Sequence, residues 1–273
     1  MINSFIDALI KEPPFRVIAA AFIKRFSASI RLKELWDTAE RPQYLTGILF
    51  GAEQALRQGV KEISVIEFGV AGGRGLLAMQ QAACDVEAET GVKIHVFGFD
   101  LGSGLGSPSG GYRDHPDKWQ AGDFPMNDMQ GLQSKLDKRT QLILGNVQET
   151  VVRFLDNIQK HPIGFVSYDM DYYSSTMDAL KIFGASENNR LIHVPLYFDD
   201  TLFFGASEYA GERLAIREFN EKNSSIKIDR WLVLPIGRPF PERGWLKGMY
   251  VANDLAQMES FQPEKRTAQM LPL

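Results

Sequence analysis

The chain has 273 residues, 44% hydrophobic and 23% charged, the composition of an ordinary globular protein and not of a disordered one. Thirty Lys and Arg against thirty-four Asp and Glu leave a net charge of −4, which gives no bulk electrostatic drive toward nucleic acid or an anionic membrane. The single cysteine, Cys84, excludes an intramolecular disulfide and any site built from several thiolates.

The N-terminus, MINSFIDALIKEPP, lacks the basic start, apolar middle and small-residue cleavage site of a signal peptide. Residues 15–23 are the most apolar run. They are interrupted by Arg16 and fall well short of the roughly 20 apolar residues that span a bilayer. A soluble cytoplasmic protein is expected. Residues 1–60 read as helices: Pro13 and Pro14 break a first short one and start a second. Over 42–58 the spacing puts Tyr44, Ile48, Leu49, Ala52 and Leu56 on one face, with Gly59 as the stop.

From residue 61 strands alternate with helices. Apolar, β-rich runs at 63–68, 94–100, 141–145, 164–169 and 191–198 predict five strands, with helices at about 75–90, 149–158, 175–183 and 212–219. The pattern at 75–90 places Cys84 as a small core-facing side chain. Two further runs, 226–235 and 246–254, predict two consecutive strands at the end. This alternation implies a doubly wound, mostly parallel α/β sheet of seven strands, the last inserted antiparallel. The expected division is an N-terminal helical extension at 1–60, serving as a lid or an oligomer contact, and an α/β domain at 61–273. The Gly, Ser and Pro-rich segment at 101–127 is a long irregular loop, of the kind that is usually functional or mobile.

The turn after the first strand reads EFGVAGGRG, with Glu67, Gly69, Ala71 and Gly73 at its key positions. Glycines there let backbone N–H groups approach a ligand at a helix N-terminus. A dinucleotide reader would show G-x-G-x-x-G; here the pattern is E-x-G-x-A-x-G, whose leading acid repels a pyrophosphate and suits an ammonium group. The second strand ends in Asp100, placed to accept hydrogen bonds from ribose hydroxyls. Together these suit a nucleoside joined to a cationic amino acid, S-adenosylmethionine. The plain alternative is a tight turn and a loop cap.

The fourth strand ends in YDMDYYSST, with Asp169 and Asp171, and the fifth in YFDD, with Asp199 and Asp200. If the two strands are neighbours, four carboxylates converge on one sheet edge, where like charges repel unless a cation neutralises them. An all-oxygen donor set favours a hard ion such as Mg²⁺. Strand alternation turns Asp169 and Asp171 the same way, with Met170 opposite. Helix caps or solvated acids are the plain alternative. Of the four histidines, His95, His161 and His193 lie within or beside strands away from this edge; only His115 is on the loop that could close over a substrate, together with Tyr112 and Trp119.

EFGVAGGRG, the strand ending GFD, DMDYYSST and FDD together resemble class I S-adenosylmethionine-dependent methyltransferases with a Rossmann-like sheet, and among them the macrocin O-methyltransferase family, over residues 60–220. The resemblance implies S-adenosylmethionine held at Glu67, Gly69, Ala71, Gly73 and Asp100. It also implies Mg²⁺ held by Asp169, Asp199 and Asp200, with Asp171 as general base toward a hydroxyl of a small-molecule acceptor. The sequence departs from the family at Ala71, where the turn has its middle glycine, and in the long 101–127 loop. A homo-oligomer is expected, with neither a nucleic-acid nor a membrane partner. Other readings are a catechol-type O-methyltransferase, disfavoured because no lysine closely follows Asp169, a nicotinamide oxidoreductase, disfavoured by Glu67, and a non-catalytic S-adenosylmethionine-binding protein.

Overall fold

The computed structural model describes residues 12–157, 160–184 and 189–261; the short helix expected before Pro13 lies outside them. Helices α1 (Phe15–Phe26), α2 (Ile30–Leu35) and α3 (Pro42–Arg57) precede strand β1 (Glu62–Phe68). Then follow α4 (Arg74–Thr90), β2 (Lys93–Asp100), α5 (Met129–Gln133), β3 (Thr140–Leu144), α6 (Val147–Asn157), β4 (Ile163–Tyr168), α7 (Tyr173–Ala179) and β5 (His193–Phe198). The chain closes with α8 (Gly211–Lys222), β6 (Ile226–Arg230), β7 (Met249–Asp254) and α9 (Leu255–Ser260). One seven-stranded sheet results, in the order β3-β2-β1-β4-β5-β7-β6. Strands β1 to β5 pair in parallel, and β7 runs antiparallel between β5 and β6. Among the described residues no helix is long and apolar enough to cross a membrane.

Strand order reverses between β1 and β4, and in open α/β sheets ligands bind beyond the C-terminal strand ends at such a point. Register fixes what stands there. Phe68 pairs with Phe99 on one side and Tyr168 on the other, and Tyr168 pairs with Phe198. These four rings form a lateral row, with centroids 4.8, 5.4 and 4.5 Å apart, within the range where aromatic pairs attract. The next residue on each strand is Gly69, Asp100, Asp169 or Asp199. One row beyond an apolar floor, parallel register therefore brings the glycine turn and three acids to the same height.

Helix α3 lies close against the sheet. A Cβ on Gly47 would stand 2.2 Å from the Phe165 ring, and one on Gly51 would stand 2.2 Å from the Gly164 carbonyl oxygen, so only glycine permits this approach. Its buried face holds Tyr44, Ile48, Leu49, Ala52 and Ala55, whereas Leu56 is exposed. Upstream, the buried Arg238 guanidinium bonds Glu34 and, at 3.2 Å, Asp37, joining the α2 region to the β6–β7 connection.

Several expectations are corrected. Cys84 is exposed, because α4 buries Gly75, Leu76, Met79, Ala82, Ala83 and Val86 and position 84 falls on the other face. The sixth strand stops at Arg230 and not at 235: its one neighbour, β7, begins at Met249, which takes the Trp231 N–H at 3.0 Å and leaves no partner for the residues after it. The preceding residues, Gly244–Gly248, form a 3-10 turn that takes in 246–248, where the sequence predicts strand.

Candidate active site

A cavity of about 610 Å³ opens on the C-terminal rim of the sheet and is lined by Phe68, Gly69, Ala71, Phe99 and Asp100 at one end and by Asp169, Asp171, Asp199 and Asp200 at the other. Gly145, Asn146 and Val147, where β3 meets α6, and Leu101, Trp119 and Phe124 from the long loop complete it. Of the nine residues assigned to the site from sequence, Glu67 and Gly73 do not line the cavity. Both lie in or under the glycine turn that does.

The turn is held by Asp100. Its Oδ2 accepts hydrogen bonds from the Val70 and Ala71 N–H groups at 2.9 and 2.8 Å, and its Oδ1 from Gly102 N–H at 2.5 Å. Gly69 has φ +87°, and a Cβ there would stand 1.8 Å from the Asp169 carbonyl oxygen. No other residue fits. Gly73, at φ +83°, starts α4 against Leu132. Ala71 adopts φ +44°, the left-handed region that favours glycine, so this alanine carries local strain.

Glu67 is fully buried beneath this turn. Its Oε1 accepts a 2.6 Å hydrogen bond from the Tyr44 hydroxyl, which in turn accepts one from Ser167 Oγ at 3.3 Å. Its Oε2 has no partner, and burial raises its pKa to about 8. A Cβ on Gly75 would stand 2.0 Å from Oε1, so Gly75 makes room for the carboxylate.

The acid cluster is strained in a different way. Strand β4 ends at Tyr168, and Asp171 has φ +59°, so the extended alternation expected of Asp169 and Asp171 fails. Both line the cavity because the chain turns left-handed, and Met170 lines it with them. Burial, then repulsion from Asp199 and Asp200, pushes the Asp169 pKa well up. Asp171 and Asp200 are likewise raised, first by burial and then by neighbouring carboxylates. Asp199 accepts a 2.5 Å bond from the Tyr197 hydroxyl, and Asp200 Oδ2 is buried without a partner. The acids face one cavity, but no three of them bring one oxygen each to within 4.8 Å of the others.

Three contributors were not legible in the sequence. Glu212, fully buried at the start of α8, accepts the Asp200 N–H at 2.8 Å, leaves Oε1 unpartnered, and has its pKa driven well up by burial; in sequence it reads as an ordinary first-turn acid. Lys118 reaches 3.9 Å from Asp200 Oδ1 and lies 3.4 and 3.8 Å from the ring centroids of Phe203 and Trp119. The third is Asp114, wholly buried. It accepts bonds from Gly110 N–H at 2.6 Å and from Ser174 N–H and Oγ at 2.8 and 2.9 Å. That clamp pins the 101–127 loop to α7 over the cavity. His115, next in sequence, is buried against Phe203 with centroids 5.1 Å apart, and its Nε2 has no partner.

The seven-stranded, mostly parallel sheet is a Rossmann-like methyltransferase fold. Among solved structures the chain is similar to the calicheamicin methyltransferase CalS11, with a TM-score of 0.52 and 19% identity over 89% of this chain and 93% of that one. It is also similar to the O-methyltransferase NovP, with a TM-score of 0.50 and 13% identity over 78% of this chain and 79% of that one. No family model and no curated protein matches the sequence.

Proposed function

We propose that the protein transfers a methyl group from S-adenosylmethionine to a hydroxyl of a small molecule, a sugar-containing or other natural-product acceptor, with a hard divalent cation at the acid cluster. The observation that carries this reading is the continuity of the cavity, which joins the Asp100-held glycine turn to the four aspartates without a break. The methyltransferases CalS11 and NovP, whose fold the chain shares, support it.

The residues fit both groups. Gly69 and Ala71 present backbone to the cavity, and Asp100 stands at the end of β2 as a carboxylate acceptor. The mutually repelling Asp169 and Asp200, half-buried with an orphaned Asp200 Oδ2, and the more open Asp199 offer only oxygen donors, the kind Mg²⁺ takes, and would have to draw together to share one ion. When bound, the donor supplies an electrophilic methyl on its sulfonium, and the cation lowers the pKa of the acceptor hydroxyl. Asp171 lines the cavity in a near-neutral-titrating environment and takes the hydroxyl proton. Trp119, Phe124 and the clamped loop cover the cavity and limit water. Holding two reactants in line is the largest contribution such a site makes, about 7–11 kcal/mol in favourable cases.

A flat diol acceptor with a lysine base is the second reading, favoured by Lys118 at 3.9 Å from Asp200. The test is incubation of the purified protein with S-adenosylmethionine carrying an isotopically labelled methyl group, with sugar-bearing and catechol acceptors, in Mg²⁺ or in chelator. Mass spectrometry should show one labelled methyl on a hydroxylated acceptor, dependent on Mg²⁺. Calorimetry that detects no S-adenosylmethionine binding would remove the proposal. Selective methylation of catechols, lost in Lys118→Met and kept in Asp171→Asn, would transfer it to the second reading.

A further inference from the structure

The opposite end of the sheet carries a second cluster of ligand-type side chains. Glu62 opens β1, His95 is the third residue of β2, and His161 lies in the turn before β4. The sheet order β2-β1-β4 makes these segments adjacent. Parallel register pairs Glu62 with Lys93 and Ser64 with His95, so Glu62 and His95 are diagonal neighbours on one face of the pleat. The His161 turn is pinned to β1 by two bonds: Ser64 Oγ donates to the His161 carbonyl at 3.1 Å, and Ser64 N–H donates to the Pro162 carbonyl at 2.9 Å. The two imidazoles stack at 4.4 Å between centroids and 11° between planes. Both turn Nε2 toward the same oxygen, Glu62 Oε2, at 3.0 and 3.5 Å. All three ligand atoms lie within 4.8 Å of one another, and among the described residues this is the only group of three or more His, Cys, Asp or Glu that does so.

We propose that Glu62, His95 and His161 bind a borderline divalent transition-metal ion, Zn²⁺ in preference, which cross-links the N-terminal ends of β2, β1 and the β4 turn. Two neutral imidazoles and one carboxylate are an established zinc donor set, with water able to fill the remaining position; the three side chains are 24, 29 and 32% exposed. Nitrogen donors select such ions over Mg²⁺ and Ca²⁺. Lys93, 3.5 Å from the other Glu62 oxygen, reinforces the selection, because its charge opposes an ion held by electrostatics alone. This site is independent of the cavity, which lies roughly 20 Å away, the length of β1 at about 3.3 Å per residue.

The full-length protein, stripped with chelator, is titrated with Zn²⁺ by calorimetry. Cu²⁺ then serves as a paramagnetic probe. The expected result is a zinc equivalent that His95→Gln and His161→Gln each weaken at least tenfold and His115→Gln leaves alone. The Cu²⁺ spectrum should show coupling to two nitrogens, falling to one in either variant. Zinc should also raise the melting temperature of the parent protein by several degrees but not that of the double His95→Gln, His161→Gln variant. Melting of the metal-free variants separates loss of a ligand from loss of the fold. Equal zinc affinity in the parent and the double variant, or a nitrogen coupling unchanged by both substitutions, would overturn the proposal.

Discussion

The two ends of the cavity are built on opposite principles. At the glycine turn, the cavity-lining Asp100 has both oxygens occupied by backbone N–H donors, so the turn holds its shape by its own bonds. At the acid cluster, buried Asp171 and Glu212 crowd against half-buried Asp169 and Asp200 and the open Asp199, and Asp200 and Glu212 each keep an oxygen without a partner. The first end is preorganised; the second is an unbalanced charge that a cation would relieve. A site proposed to take one group by shape and another by charge would use this asymmetry.

The sharpest way to break the comparison is Asp171→Asn. Asparagine tolerates the left-handed backbone at this position, so the fold should persist. Methyl transfer should fall by about 10²–10⁴-fold, the usual worth of a general base, while S-adenosylmethionine affinity measured by calorimetry is retained. The metal-free variant should melt higher than the parent, since a repelling charge is gone. Undiminished turnover would remove Asp171 from the chemistry.

Gly69→Ala tests the other end. With φ +87° and the Asp169 carbonyl oxygen in the way, it should cost about 3 kcal/mol or more of stability in denaturant unfolding and abolish cofactor binding. Asp100→Ala leaves three N–H groups to find water and should cost about 2 kcal/mol, with the melting temperature falling whether or not S-adenosylmethionine is present.

Glu67→Gln sharpens the contrast through pH. The folded-state pKa of Glu67 is raised from 4.5 to about 8, so its contribution to stability is greatest below pH 4.5 and is lost as pH rises through 8. The variant lacks that loss. Its stability relative to the parent should therefore climb steadily between pH 4.5 and 8, starting from a level lowered uniformly by the buried amide's own unpaired donor. A flat difference across that window would mean that Tyr44 and Arg41 outweigh burial at Glu67. The smallest effect belongs to Ala71→Gly. Relief of a left-handed alanine is partly offset by the greater chain entropy of glycine, so the net gain should be under about 1 kcal/mol, read as a melting shift of a few degrees at most.

The sheet was legible because strands and helices alternate with distinct periods, and because each parallel strand announces its end with a turn or an acid. Gly69, Asp100, Asp169 and Asp199 could be found for that reason: each is the first residue beyond an apolar run, and register then aligns them. Alternation failed at Asp171, where the chain leaves the strand, and at Cys84, where a uniformly small stretch of helix hides which face is inward.

What the sequence determined by itself was local: the glycine turn, the order of elements, and the acids at strand ends, all set by neighbours a few residues apart. Only the tertiary structure decided which distant groups meet. Lys118 reaches Asp200 and Asp114 reaches Ser174 because the loop folds back over the rim. Glu212 reaches the Asp200 backbone because α8 begins beside it. Glu62, His95 and His161 converge because β1 lies between β2 and β4. Strand order is a property of packing, and no local pattern encodes it.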